Sequence, residues 1–94
     1  MKIQFVKSLN DIPYDEWQPV AKEEHRGKTA RVIGSDKKRT LMIILPCGHL
    51  AMIDTWNITD IDTDTPSATP SIFCRYDNKD CWHGYLTKGE LIKV

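Results

Sequence analysis

The sequence predicts a mainly β protein: a small antiparallel meander with a short helical segment near the N terminus, in one domain over residues 1–94. Three observations carry this expectation. Apolar and β-branched residues gather in short runs, Thr29 to Ile33, Thr40 to Leu45 and Leu50 to Trp56, each bounded by turn residues. Pro13 and Pro19 keep the stretch after Asn10 from forming one long helix. At 94 residues the chain has room for one modest core and no second domain.

Taken in order, Lys2 to Val6 alternates polar and apolar residues, the pattern of a strand with one buried face at a sheet edge. Asn10 and Asp11 can cap, Pro13 suits a first helical turn, and Asp15 and Glu16 suit a helix N terminus. Two short turns follow from this, the second ending at Gly27. The β runs come next, separated by the polar turn Gly34 to Arg39 and by Cys47-Gly48-His49. Thr59 to Thr69 is nearly all Thr, Asp, Pro and Ser and reads as a long exposed loop. Asp60, Asp62 and Asp64 match the opening of a calcium loop, but Thr65 stands where that loop needs Gly and Ser71 where it needs Glu, so calcium is set aside. Ser71 to Tyr76 should be a strand, and His83 to Thr87 should pair with Glu90 to Val94 across Lys88-Gly89.

The charges balance, with 13 Lys plus Arg against 13 Asp plus Glu, which argues against a bulk nucleic-acid binder. They are unevenly placed: residues 1–40 hold nine basic and six acidic side chains, and residues 41–94 hold four and seven. Lys22, Arg26, Lys28, Arg31, Lys37, Lys38 and Arg39 form a candidate basic face, and the Asp54 to Asp64 stretch an acidic one. The start of the chain has no apolar signal region, and the run Leu41 to Ile53 is short and broken by Pro46, Gly48 and His49. The expectation is a cytoplasmic protein without stable disulfides, in which three cysteines call for another explanation.

Two triplets of the same form supply it, Cys47-Gly48-His49 and Cys81-Trp82-His83, each at a turn or strand end. Structural zinc takes four N or S ligands tetrahedrally, and two turns on separate hairpins can bring two ligand pairs together. The expected site is Zn2+ on Cys47, His49, Cys81 and His83, within a zinc-ribbon-like sheet. Cys74 is the substitute, either in a set of Cys47, Cys74, Cys81 and His83 or as a small core residue. Four protein ligands close a site and favour a structural role over an enzyme, while Asp77 and Asp80 keep a zinc-dependent hydrolase as the alternative. Phe5, Trp17, Trp56 and Phe73 are expected in the core. Trp82 and Tyr85 are expected at a binding surface or covering the metal, with Lys37, Lys38 and Arg39 as further contact residues.

The order Leu45-Pro46-Cys47-Gly48-His49, Trp56, Thr69-Pro70-Ser71-Ile72 and Cys81-Trp82-His83-Gly84-Tyr85-Leu86-Thr87-Lys88-Gly89-Glu90-Leu91 resembles a family of small phage and bacterial proteins. Members often carry the label ammonia monooxygenase, which no residue here supports, and others are similar to companions of bacterial ubiquitin-like conjugation modules. The resemblance covers residues 41–94. It implies a zinc-site β domain, with Cys47, Cys81 and His83 at the family's cysteine and histidine positions and His49 beside them. The implied function is a protein-interaction or accessory module, such as a phage or mobile-element factor acting on a host protein. Nucleic-acid binding is the further alternative.

Overall fold

The computed structural model describes residues 1–94, in eight strands and three short helical turns. β1 (Gln4–Phe5) precedes the helical excursion, which consists of a 3-10 turn at Leu9–Asp11, α1 (Tyr14–Trp17) and a second 3-10 turn at Glu23–His25. β2 (Lys28–Ile33), β3 (Arg39–Ile44) and β4 (Leu50–Met52) form one antiparallel meander, and β5 (Asn57–Thr59), β6 (Ser67–Tyr76), β7 (Lys79–Thr87) and β8 (Glu90–Lys93) another. The protein is mainly β, as expected, with little helix.

β1 departs from the meander by pairing parallel to β2, Gln4 opposite Lys28. The residues just before it pair elsewhere. Leu91 N–H donates to the Met1 carbonyl at 2.8 Å, Ile3 N–H donates to the Gly89 carbonyl at 3.0 Å, and Lys2 bridges Glu90. One N-terminal segment therefore ties β8 of the second sheet to β2 of the first. The strands run β4-β3-β2-β1 and then β8-β7-β6-β5, a barrel sealed on one side and open on the other, where β4 faces the part of β6 beyond its short pairing with β5.

β3 shows why its sequence is apolar at nearly every position. Leu41 and Ile43, with Leu45 beyond the strand end, face the other sheet and join Ile53, Ile72, Trp82, Leu86 and Leu91 in the main core. Ile44, on the opposite face, packs with Leu9, Ile12, Ala21 and Ala30 under the helical excursion. Both faces of the strand are covered, so strict alternation is lost. The excursion itself is short because Gln18, preceding Pro19, is extended and ends α1, while the Ser8 hydroxyl rather than Asn10 or Asp11 caps the first turn.

Three expectations change. The polar loop is shorter than residues 59–69, because β6 begins at Ser67 and buries Pro66 and Ala68. Arg31 donates to the carbonyls of Ile61 at 2.7 Å and Thr63 at 2.8 Å, fixing the loop on the first sheet. Phe73 is 51% exposed, since it follows core-facing Ile72 and so points outward. The Lys88-Gly89 turn is as expected, with both residues at positive φ, and Asp77-Asn78 makes the same kind of turn between β6 and β7.

Leu41 is fully buried between the sheets, so Leu41→Ala should destabilise the fold by about 2–5 kcal/mol, measured by urea unfolding.

Candidate metal centre

The Leu45 to His49 hairpin builds the first half of the site. Pro46 presets the first turn position, Gly48 N–H donates to the Leu45 carbonyl at 2.8 Å, and Leu45 N–H donates to the His49 carbonyl at 2.9 Å. Gly48 has φ of 94°, a conformation that L side chains avoid, and a Cβ there would meet Val20 at 2.7 Å. The turn is docked on the excursion: Ala21 N–H donates to the Gly48 carbonyl at 2.7 Å, and Arg26 donates to the carbonyls of Pro46 and Ala21. Cys47 and His49 are thereby held on one side of a rigid loop.

The second half comes from β6 and β7. Cys74 lies on the inward face of β6, two residues after buried Ile72. Across from it the ladder slips: Cys74 pairs with Trp82 and Arg75 with Asp80, leaving Cys81 as the extra residue of a bulge. A bulge turns consecutive side chains towards one face. Cys81 thus adjoins Cys74 although simple alternation from Trp82 would send it outward, but its Sγ donates to the Lys79 carbonyl at 3.5 Å and is not among the clustered ligand atoms.

Cys47 Sγ lies 3.6 Å and Cys74 Sγ 3.5 Å from the same atom, His49 Nδ1. The three ligand atoms fall within 4.8 Å of one another and can hold a metal ion. His49 stacks on Tyr76, ring centroids 4.6 Å apart, and its Nε2 is buried without a partner. The imidazole is engaged only through the nitrogen that faces the two sulfurs. Burial pushes the Cys74 thiol up to about 12, and the adjacent Cys47 and Cys81 thiols push the same way. A tetrahedral ion with bonds of about 2.3 Å to sulfur and about 2.05 Å to nitrogen separates S from N by about 3.6 Å, the spacing found at both cysteines.

His83 does not join the cluster. It follows inward-facing Trp82, so it emerges on the outer face of β7, where its Nε2 is hydrogen-bonded to Ser71 Oγ at 2.8 Å and its ring meets Phe73 edge-on. Cys74 occupies the place expected for it. Trp82, expected as an anchor or a cover, is a core residue with 7% exposure; Tyr85 is exposed as expected. Lys37 and Lys38 are exposed at the β2–β3 turn, but Arg39 forms an ion pair with Asp62, while Arg31, Arg26 and Lys28 bond within the protein. The basic and acidic stretches therefore neutralise each other in part. Asp77 supplies a turn, and Asp80 lies 3.8 Å from Arg75.

A second grouping, Glu16, Glu24 and His25, carries no sequence motif and was not anticipated. Lys28 Nζ donates to His25 Nδ1 at 2.8 Å, and His25 Nε2 donates to Glu16 Oε2 at 2.8 Å. Both ring nitrogens are satisfied, unlike those of His49, which makes this a brace between α1 and β2.

Fold and site together define a small, partly open β barrel with a Cys/His cluster able to bind metal at its open side. No protein-family model, curated protein or solved structure matches the chain. No helix is long and apolar enough to cross a membrane.

The hydrogen bond from His25, aided by Lys22, holds the Glu16 carboxyl below its ordinary value of 4.5. A carboxyl lowered on folding adds stability above its unfolded value and loses it as pH falls through the folded one. Thermal unfolding of wild type and Glu16→Gln should therefore differ at pH 6 and converge under acid conditions below the usual carboxylate range.

Proposed function

We propose that the chain is a zinc-stabilised protein-interaction module in which Cys47, His49, Cys74 and Cys81 hold one structural Zn2+. The observation that carries this reading is the placement of two cysteine sulfurs at 3.5 and 3.6 Å from His49 Nδ1. One nitrogen lone pair cannot accept hydrogen from two thiols, whereas one tetrahedral ion accounts for both distances. Cys81, next to Cys74 at the bulge, would be the fourth donor once its Sγ turns from the Lys79 carbonyl, to which it donates at 3.5 Å, towards the other three ligand atoms. Four protein donors leave no position for water, which favours a structural role over the hydrolase alternative; Asp77 serves a turn and Asp80 lies 3.8 Å from Arg75.

Binding of a protein partner fits the rest of the surface. The exposed apolar side chains include Met52, Phe73 and Tyr85, while Arg26, Lys28 and Arg31 bond within the protein and Arg39 pairs with Asp62, which reduces the basic face available to nucleic acid. Three free cysteines suit a reducing cytoplasmic setting. The resemblance to small phage and bacterial proteins adds the reading of an accessory factor that acts on a host protein.

Elemental analysis of untagged protein should give one zinc per chain, and cobalt exchange should give the visible absorption of a tetrahedral thiolate site. Cys47→Ser, Cys74→Ser and Cys81→Ser should each weaken the site by more than the roughly 10–100-fold lost with an outer hydrogen-bond partner. His83→Ala should retain full metal content. A metal-free protein whose cysteine variants fold normally would defeat the proposal, and a zinc content unaffected by Cys81→Ser would remove Cys81 from the ligand set.

A further inference from the structure

The open side of the barrel is an apolar groove of about 250 Å³. Buried Leu45, Ile53 and Ile72 form its floor, the partly exposed Met52 and Phe73 its rims, and Arg75 is the one charged residue lining it. Both walls are strand edges. On β4, His49 and Ile53 bond to β3, so by alternation Leu50 and Met52 turn their N–H and C=O groups away from β3 into the groove. On β6, the Ser71 carbonyl accepts from Trp56 Nε1 at 3.2 Å on the side away from β7, and Phe73 shares that parity. The His83 carbonyl, opposite Phe73, accepts from Val94 N–H just past β8, so the Phe73 pair faces away from β7.

Two unpaired edges facing each other across an apolar floor lack one strand. Trp56 blocks one end and the Cys/His cluster stands at the other, leaving the length of Leu50–Met52, about 10 Å of extended chain. Arg75 sets the charge of the occupant. Its guanidinium has only an exposed aspartate, Asp80, at 3.8 Å, and it borders an otherwise uncharged slot.

We infer that this groove binds an extended segment of a partner protein, with alternating apolar side chains and a carboxylate over Arg75, as an added strand that closes the barrel. The inference deepens the interaction-module reading and rests on it, because Cys74 is both a groove wall and a metal donor.

Random displayed decapeptides should be panned on protein whose metal content has first been measured, and the winning peptide titrated into 15N-labelled protein. Winners should alternate apolar with polar residues and carry Asp or Glu, and they should shift and protect the amides of Leu50, Met52 and Phe73. N-methylation of one pairing peptide amide should weaken binding about fivefold. Arg75→Ala should weaken it by up to about fivefold. The inference is overturned by absence of enrichment, by shifts confined to other residues, or by winners that bind a Met52→Lys, Phe73→Lys double variant equally well. Concentration-dependent dimerisation abolished by Met52→Lys would overturn it too, giving the groove to a second copy. Absence of metal would defeat the zinc reading separately, and the same amides would then judge the groove on the metal-free chain.

Discussion

Hydrogen bonds join the two sheets on one side of the barrel, through Met1 to Phe5, and on the other side β4 and β6 do not pair. This asymmetry sets the problem that the rest of the structure answers. An apolar core between two sheets needs both sides held, or the sheets splay and admit water. The Cys47–His49 turn at the start of β4 and Cys74 on β6 meet at that open side. A shared ion there would do for the unpaired side what the N-terminal strand does for the paired one. In a 94-residue β chain, whose core is modest, such a link would be a large part of the stability.

The N-terminal half is the support for this junction. Its short turns bury Leu9, Ile12 and Ala21 against the outer face of β3 and place Ala21 and Arg26 on the backbone of the Pro46-Cys47-Gly48 turn. The brace Glu16–His25–Lys28 fixes the excursion in turn. Gly84 serves the other side. A Cβ there would collide with the Trp82 ring and with the Ile92 carbonyl, so the indole lies across a residue that has no side chain. Glycine at this position lets Trp82 fill the core directly beside Cys74.

The Cys47–His49 turn is legible in the sequence because it is local: Pro at one position and Gly two later dictate its geometry. The β class and the final hairpin were legible for the same reason, through runs and turn residues with local meaning. The ligand set depended on facts with no local signature. Whether His83 or Cys74 faces His49 is decided by strand parity and by one bulge, and a bulge at Cys81 leaves no pattern in the residues themselves. Trp82 points inward by simple alternation with buried Gly84 and Leu86, a parity that the short motif Cys81-Trp82-His83 does not itself display. The neutralisation of the basic stretch by the acidic loop required Arg39 and Asp62, distant in sequence, to meet.

A disulfide is the competing use of three neighbouring thiols, and the geometry weighs against it as a resting state. Any one bridge would leave a third thiol beside the bond and an imidazole with its inner nitrogen unfilled, next to a buried outer nitrogen that already lacks a partner. Burial and two neighbouring sulfurs all oppose ionisation of the Cys74 thiol, so that on its own it stays protonated. A divalent ion reverses each of these effects together, because it favours thiolates, takes the Nδ1 lone pair and replaces lost hydration with direct bonds. The same arrangement of two sulfurs around one imidazole nitrogen that fits no disulfide or hydrogen-bond pattern well is one that could hold a metal ion.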